Sequence, residues 1–232
     1  MATEYKLNVS KAMLAQASAE FYHFYGHAMA RWASLERSLY YWFRGSTGMQ
    51  DGMARAIFYG ARGFGARAEM LEAAIEHATV LDPTQLAFIK EALKKARNYS
   101  AFRNKMAHGD PQPNLTHSNG NVTAIHYTIV QGSDPAAAGD KPLSIEDLDT
   151  AAENITTLHY CIMDMIPWFR AHGVPKSAEE CLALVRGLPN QPNDKSARTP
   201  SGASQPPQGR QPRNKKAYRA SQQTEKPKPP RE

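Results

Sequence analysis

Residues 82–109 decide the fold, and they read DPTQLAFIKEALKKARNYSAFRNKMAHG. The stretch begins with an aspartate that can cap a helix and a proline suited to the first helical position. Residues that recur every three or four positions then form one helix face. They are Leu86, Ile89, Leu93 and Ala96, with Ser100, Arg103 and Ala107 continuing the period. The pattern predicts a long amphipathic helix with an arginine where a bundle interior would have an apolar residue.

Two further helical runs precede this stretch, which makes its helix the third in the predicted order. The first run has an apolar seam with alternating steps of four and three, typical of a long packed helix, and it ends at the glycines of residues 45–48. The seam comprises Leu14, Ser18, Phe21, Tyr25, Ala28, Trp32, Leu35, Leu39 and Trp42. The second run, over residues 53–75, contains Gly60, Gly63 and Gly65. We interpret these glycines as a close helix–helix approach or a local kink.

After residue 110 the pattern changes to that of a β-hairpin. Leu115–His117 and Val122–Val130 flank an Asn-Gly pair at 119–120, a strong turn signal, so we expect a hairpin insertion over about residues 112–131. Ser144 is placed to cap another helix, and a short helix follows over Ser177–Arg186. The predicted fold class is all-α: an up-and-down helical bundle over residues 1–186 with an inserted β-hairpin.

The basic charge of the chain comes from its C-terminal end. Residues 191–232 hold ten Lys or Arg against three acidic residues, a net charge of +7. The whole chain is +6, so residues 1–190 come to −1. Residues 187–232 are rich in Pro, Gln and Ser and have little apolar surface to bury, so we expect a disordered, Pro-rich basic tail.

The sequence favours a cytoplasmic protein. The first residues lack a basic stretch followed by an apolar run, and no window approaches the roughly 18 apolar residues that a membrane span needs. Cys161 and Cys181 are too few to staple a domain or to build a zinc site alone. His23 and His27 have a spacing that can ligate a metal, but no acidic or cysteine ligand accompanies them. We therefore expect no metal and no cofactor.

Arg103, Asn104 and His108 are the residues whose chemistry suggests a reaction. Arginine offers a fixed fork of donors to a phosphate, and histidine titrates near neutrality and can accept a proton from a ribose 2′-hydroxyl. Asn104 and His108 are four apart, so the amide could fix the imidazole tautomer. A structural alternative stays open: the histidine and the following glycine suit a helix C-terminus with a left-handed cap, and Arg103 could pair with Glu36.

The segment Arg103-Asn-Lys-Met-Ala-His-Gly109 resembles the Arg-polar-x-x-x-His signature of the HEPN superfamily (higher eukaryote and prokaryote nucleotide-binding). The resemblance implies a small helical bundle, a homodimer that pairs two motifs, and a metal-independent endoribonuclease, although many members have lost catalysis. It implies that Arg103 stabilises transition-state charge, that Asn104 is the polar residue and that His108 is the base. Glu36 is similar to an acidic residue that some members place beside the motif.

Basic residues near the motif and in the tail are candidates for nucleic-acid contacts. They are Lys94, Lys95, Arg97, Lys105, Arg213, Lys215, Lys216 and Arg219, with Tyr99 as a residue that could stack on a base. Two functions follow as hypotheses. One is a HEPN-like endoribonuclease, a toxin or defence effector, which binds RNA and has an antitoxin or regulatory protein as partner. The other is a non-catalytic helical module that binds RNA or a protein.

Overall fold

A computed structural model describes residues 9–78, 81–118, 121–131, 141–166 and 177–194 of the chain. Within these residues it has six α-helices and one antiparallel hairpin, which confirms the predicted fold class. In chain order the elements are α1 (Lys11–Thr47), α2 (Asp51–Gly60), α3 (Gly63–Glu76), α4 (Pro83–His108), β1 (Asp110–Ser118), β2 (Asn121–Val130), α5 (Ile145–Asp164) and α6 (Ala178–Gly187). The predicted tail lies outside the described residues from residue 195 onward.

Helix α1 is the element around which the bundle is built. It packs along α5 and also contacts α2, α3, α4 and β2. Its apolar seam is largely buried from Phe21 to Trp42, whereas Leu14 is 40% exposed and lies outside the core. The Trp42 indole N–H donates to the Ile162 carbonyl of α5 at 3.1 Å, so the two helices are joined by a buried hydrogen bond as well as by packing.

The second apolar run forms two helices instead of one. Helix α2 ends at Gly60 and α3 begins at Gly63, whose φ of 79° lies in the left-handed region that glycine adopts at low cost. A Cβ atom added at Gly60, Gly63 or Gly65 would meet nothing within 4 Å. The glycines therefore allow a break in the chain, and the alternative of close helix–helix approach is wrong. The helix over residues 83–108 is accordingly the fourth.

Helix α4 starts where the sequence predicts, but its buried face differs from the prediction. Asp82 accepts hydrogen bonds from the backbone N–H groups of Thr84 and Gln85 at 2.8 and 2.9 Å, the expected N-cap. The last two turns bury Tyr99, Phe102 and Met106. Arg103 lies beside that face, half-buried, because the 3.6-residue period moves the core contact one position away from the strict three-and-four spacing. The predicted core position for Arg103 is wrong.

The hairpin begins earlier than predicted and follows α4 without a loop. Strand β1 starts at Asp110, which pairs with Val130, and the register runs to Ser118 opposite Asn121. The turn pair at 119–120 lies outside the described residues. Pro111 has no N–H, a loss that an edge strand tolerates. Strand β2 packs on α1, where the rings of Phe21 and Tyr127 lie 5.5 Å apart.

The segment that follows α6 is fastened to the bundle by side chains of α4 and α5. Lys95 Nζ donates to the Leu188 carbonyl at 2.5 Å, and the Tyr99 hydroxyl donates to the Pro189 carbonyl at 3.1 Å. The Asn154 amide donates to the Pro192 carbonyl at 2.7 Å. Two buried donors and one half-buried donor, each with a backbone acceptor, hold this segment against the bundle. The boundary predicted at residue 186 is therefore too early, and residues 188–194 belong to the bundle.

Candidate functional site

The last turn of α4, which carries the Arg-to-His motif, is held in place by the end of β2. Gly109 is extended, with φ −81° and ψ 158°, so the left-handed cap expected there is wrong. A Cβ at Gly109 would overlap Ile129 and would lie 2.5 Å from Gln131 Nε2 and 2.7 Å from the Lys105 carbonyl oxygen. Gln131 Nε2 donates to that same carbonyl at 2.8 Å. Glycine is needed here because the hairpin passes close to the helix end.

Arg103 is the residue of the motif with an unsatisfied donor. Its Nη1 donates to Asn104 Oδ1 at 3.1 Å, while its Nε is buried and has no acceptor. None of the ion pairs formed by the described residues includes Arg103. A buried donor without a partner costs about 1–3 kcal/mol. The guanidinium therefore retains capacity for an anion, and a phosphate oxygen could accept from it.

His108 is exposed at the end of α4, on a different flank of the helix from Arg103. With 3.6 residues per turn, five positions rotate a side chain by about 140° around the axis. Among the described residues the expected hydrogen bond between Asn104 and His108 does not form, and Asn104 Oδ1 accepts from Arg103 instead. No described residue forms a hydrogen bond with the imidazole. One copy of the chain thus presents Arg103 and His108 in different directions.

Glu36 does not pair with Arg103, which removes the structural explanation offered for that arginine. Its Oε1 accepts from Arg67 Nη1 at 2.9 Å, and the two side chains are 17% and 20% exposed. Arg67 also lies over the Tyr59 ring, 5.3 Å from its centroid. Glu36 is therefore part of an ion pair between α1 and α3, and this position gives no support for a role beside the motif.

Two residues predicted to contact nucleic acid are structural in this fold. Lys95 is 5% exposed, and its burial lowers the pKa of its ammonium while Leu188 and Asn190 accept its hydrogen bonds. Tyr99 is fully buried, and the desolvation of its hydroxyl raises its pKa. Neither side chain is available to RNA. The prediction is corrected for both.

The other predicted contact residues have mixed positions. Arg97 pairs with Glu72 at 2.6 Å, and this hydrogen bond lowers the pKa of the Glu72 carboxyl. Lys94 is exposed and lies 3.9 Å from Glu91, while Lys105 is half-buried in the last turn of α4. Arg213, Lys215, Lys216 and Arg219 lie outside the described residues. The basic surface of α4 is therefore smaller than its sequence indicates.

The histidine pair of α1 and the lengths of the helices bear on metal ligation and on membrane insertion. His27 Nε2 accepts from Arg31 Nε at 3.0 Å, which occupies one of its possible ligand atoms. Across the described ranges, no group of three or more His, Cys, Asp or Glu is arranged to hold a metal ion. In those ranges no helix has both the length and the apolar character that a bilayer crossing requires.

Gln131 is a positioning residue that the sequence did not reveal. It follows a β-strand and contacts a helix carbonyl 26 residues earlier, so no local pattern marks it.

Comparison of the chain with known family models, with characterised proteins and with solved structures found no match.

Proposed function

We propose that the protein is a metal-independent endoribonuclease that acts as a homodimer, with a site formed by Arg103 and His108. The observation that carries this proposal is Arg103, a half-buried guanidinium with no carboxylate partner among the described residues and an unsatisfied Nε, in the same terminal turns as an exposed histidine. The resemblance of residues 103–109 to the HEPN signature supports it. So does the fold, a helical bundle with the motif at a helix end.

The proposed reaction needs a base and an anion-stabilising group. His108 accepts the proton of a ribose 2′-hydroxyl, and the 2′-oxygen attacks the adjacent phosphorus. The bond from phosphorus to the 5′-oxygen breaks, the leaving oxygen takes up a proton from water, and a 2′,3′-cyclic phosphate remains. Arg103 stabilises the charge that develops on the phosphoryl oxygens. Asn104 positions the guanidinium through its Oδ1.

The separation of Arg103 and His108 around α4 supports a site shared between two copies. A two-fold axis that brings two α4 ends together would place Arg103 of one copy beside His108 of the other. The mixing of two inactive variants tests this arrangement. In a one-to-one mixture of Arg103→Ala and His108→Ala, half of the dimers are mixed, and each holds one intact site of two. We expect about a quarter of wild-type activity. A site contained within one copy would give no recovery.

Cleavage itself is tested with purified full-length protein and RNA in EDTA. We expect wild type to release ends that carry a 2′,3′-cyclic phosphate, and His108→Ala to be slower by about 10²–10⁴-fold, the usual contribution of a general base. His126→Ala, a change of an exposed histidine on β2, is the control and should cleave as wild type does. Equal cleavage by wild type and His108→Ala, or no cleavage by either, refutes the proposal.

A non-catalytic interaction module is the second candidate, and one observation favours it. No described residue hydrogen-bonds His108, so nothing in a single copy fixes its tautomer. Such a module would bind RNA or a protein partner equally well with His108→Ala. A cytoplasmic location, a role as a toxin or defence effector and control by an antitoxin or regulatory protein remain predictions that follow from the first candidate.

A further inference from the structure

A cleft of about 330 Å³ lies between the last turns of α4, the residues before α5 and the segment after α6. Small-molecule sites occupy about 300–1,000 Å³, so this cleft has room for one nucleotide-sized group. Its walls come from segments that are far apart in the sequence. Among the lining residues are Phe102, Lys105, Lys141, Pro142, Gln191 and Asn193.

The charged side chains of the cleft favour an anion. Lys105 and Lys141 contribute two ammonium groups, and Asp147 contributes the one carboxylate among the lining residues that the structure describes. That carboxylate is 6% exposed and is engaged on both oxygens: Oδ2 accepts from the Ser144 backbone N–H at 2.9 Å, and Oδ1 accepts from Asn193 Nδ2 at 3.4 Å. The described lining residues carry a net charge of +1 (two lysines and one aspartate), and phosphate is an anion that lysine binds well.

Other groups in the cleft suit a nucleobase. Gln191 is exposed, and its side-chain amide makes no hydrogen bond with the described residues. Asn193 donates to Asp147 through Nδ2, which leaves its Oδ1 as an acceptor. Pro142 adds exposed apolar surface, while Phe102 is 2% exposed and contributes only a small part of its ring. Donors and acceptors of this kind read base edges, and apolar surface favours a base over water.

The cleft opens on the side of α4 that carries His108. Lys105 and His108 are three positions apart, and residues at this spacing are neighbours on a helix surface. Ala101, another lining residue, continues the same face one turn earlier. At a rise of 1.5 Å per residue, the backbones of Lys105 and His108 are about 4.5 Å apart along the helix axis, so a phosphate bound by Lys105 would lie on the face of α4 that carries His108.

We propose that this cleft binds one nucleotide of the RNA next to the bond that is cleaved. The phosphate lies on Lys105 and Lys141, and the edge of the base lies on Gln191 and Asn193. The inference rests on the proposed nuclease activity and adds to it a subsite that selects and positions the substrate. The ligand of the cleft would be a nucleoside monophosphate unit, which occurs both in RNA and as a free nucleotide. The experiment below distinguishes binding of RNA from binding of a free nucleotide.

Binding is measured on the full-length protein in EDTA. The probes are the four nucleoside 5′-monophosphates, by calorimetry, and a fluorescent 2′-O-methyl RNA that cannot be cleaved, by anisotropy. We expect Lys141→Glu to weaken RNA binding about tenfold or more, since it replaces a charge-assisted contact with a repulsive one. Gln191→Ala should change the preference among bases. Lys90→Glu, the same charge change at an exposed position of α4 outside the cleft, is the matched control.

Cleavage kinetics separate this inference from the proposed function. Lys141→Glu should raise KM and leave kcat within about twofold, whereas His108→Ala should lower kcat. If Lys141→Glu and Gln191→Ala bind and cleave RNA as the Lys90→Glu control does, the subsite is refuted even where His108→Ala is inactive. If binding depends on Lys141 but wild type cleaves nothing, the binding cleft stands and the nuclease proposal falls. Binding of free nucleotides without any effect of Lys141→Glu on RNA also overturns the RNA subsite.

Discussion

Replacement of Gly109 by alanine tests the packing that holds the motif in place. The backbone of Gly109 has φ −81°, which alanine adopts without strain, so any cost arises from contacts. The added methyl would overlap Ile129 and crowd Gln131 and the Lys105 carbonyl. Overpacking costs about 1–3 kcal/mol, and loss of the Gln131–Lys105 hydrogen bond costs about 1 kcal/mol. The alanine reduces the entropy of the unfolded chain, which offsets about 0.4–1 kcal/mol. We expect a net destabilisation of about 1–3 kcal/mol.

Urea denaturation followed by circular dichroism measures this free energy of unfolding. Gly26→Ala is the matched control, because Gly26 is exposed in the middle of α1 and a Cβ there would meet nothing within 4 Å. That change should stabilise the protein by about 0.5–1 kcal/mol, since glycine is unfavourable inside a helix. The two substitutions are chemically identical and are expected to have opposite signs. If Gly109→Ala is as stable as wild type, the hairpin does not approach the end of α4 as described.

Three further predictions concern buried polar groups. Lys95→Met should lower the free energy of unfolding by about 1–3 kcal/mol, because the Leu188 carbonyl loses its donor, whereas Lys94→Met on the exposed side should change little. Tyr99→Phe removes the bond to the Pro189 carbonyl and should cost about 1 kcal/mol, measured in the same urea assay. Burial and two nearby arginines lower the pKa of His159 below 6.5, so the unfolded chain binds more protons below that pH. Urea midpoints should therefore fall from pH 7.5 to 5.5, and His159→Gln should reduce that fall; an unchanged pH dependence would contradict the assignment.

The local signals of the sequence predict helices α1, α4, α5 and α6, but not the break between α2 and α3. The Asp82 cap depends on Thr84 and Gln85, which are two and three residues away, so its chemistry can be read without a fold. The seam of α1 is similar, because Trp32 and Leu39 follow the helical period that buries them. Features of this kind are decided within a few turns of one helix.

The position of Arg103 and the roles of Lys95 and Tyr99 could not be obtained in this way. Helix propensity and spacing leave two neighbouring faces of α4 almost equal, and contacts with other elements select the face with Phe102. Lys95 finds its acceptor 93 residues later in the chain, so a buried lysine has the same local sequence as an exposed one. For the candidate site, the sequence predicted only which residues form the motif, Arg103 to His108. The directions of its two side chains depend on the path of α4, and the cleft depends on residues after α6 that show no motif.

The segment of residues 188–194 fixes where the chain can be shortened. A protein that ends after α6, at Gly187, would leave Lys95 Nζ and the Tyr99 hydroxyl buried without the carbonyls that accept from them. Each of these two donors would then have to hydrogen-bond a water molecule that enters the bundle, or its side chain would have to leave its buried position. A version that ends at Asp194 keeps every one of these acceptors. Experiments that ask what the basic tail contributes should therefore remove residues 195–232. A change in RNA binding then reports on the tail and not on a destabilised bundle.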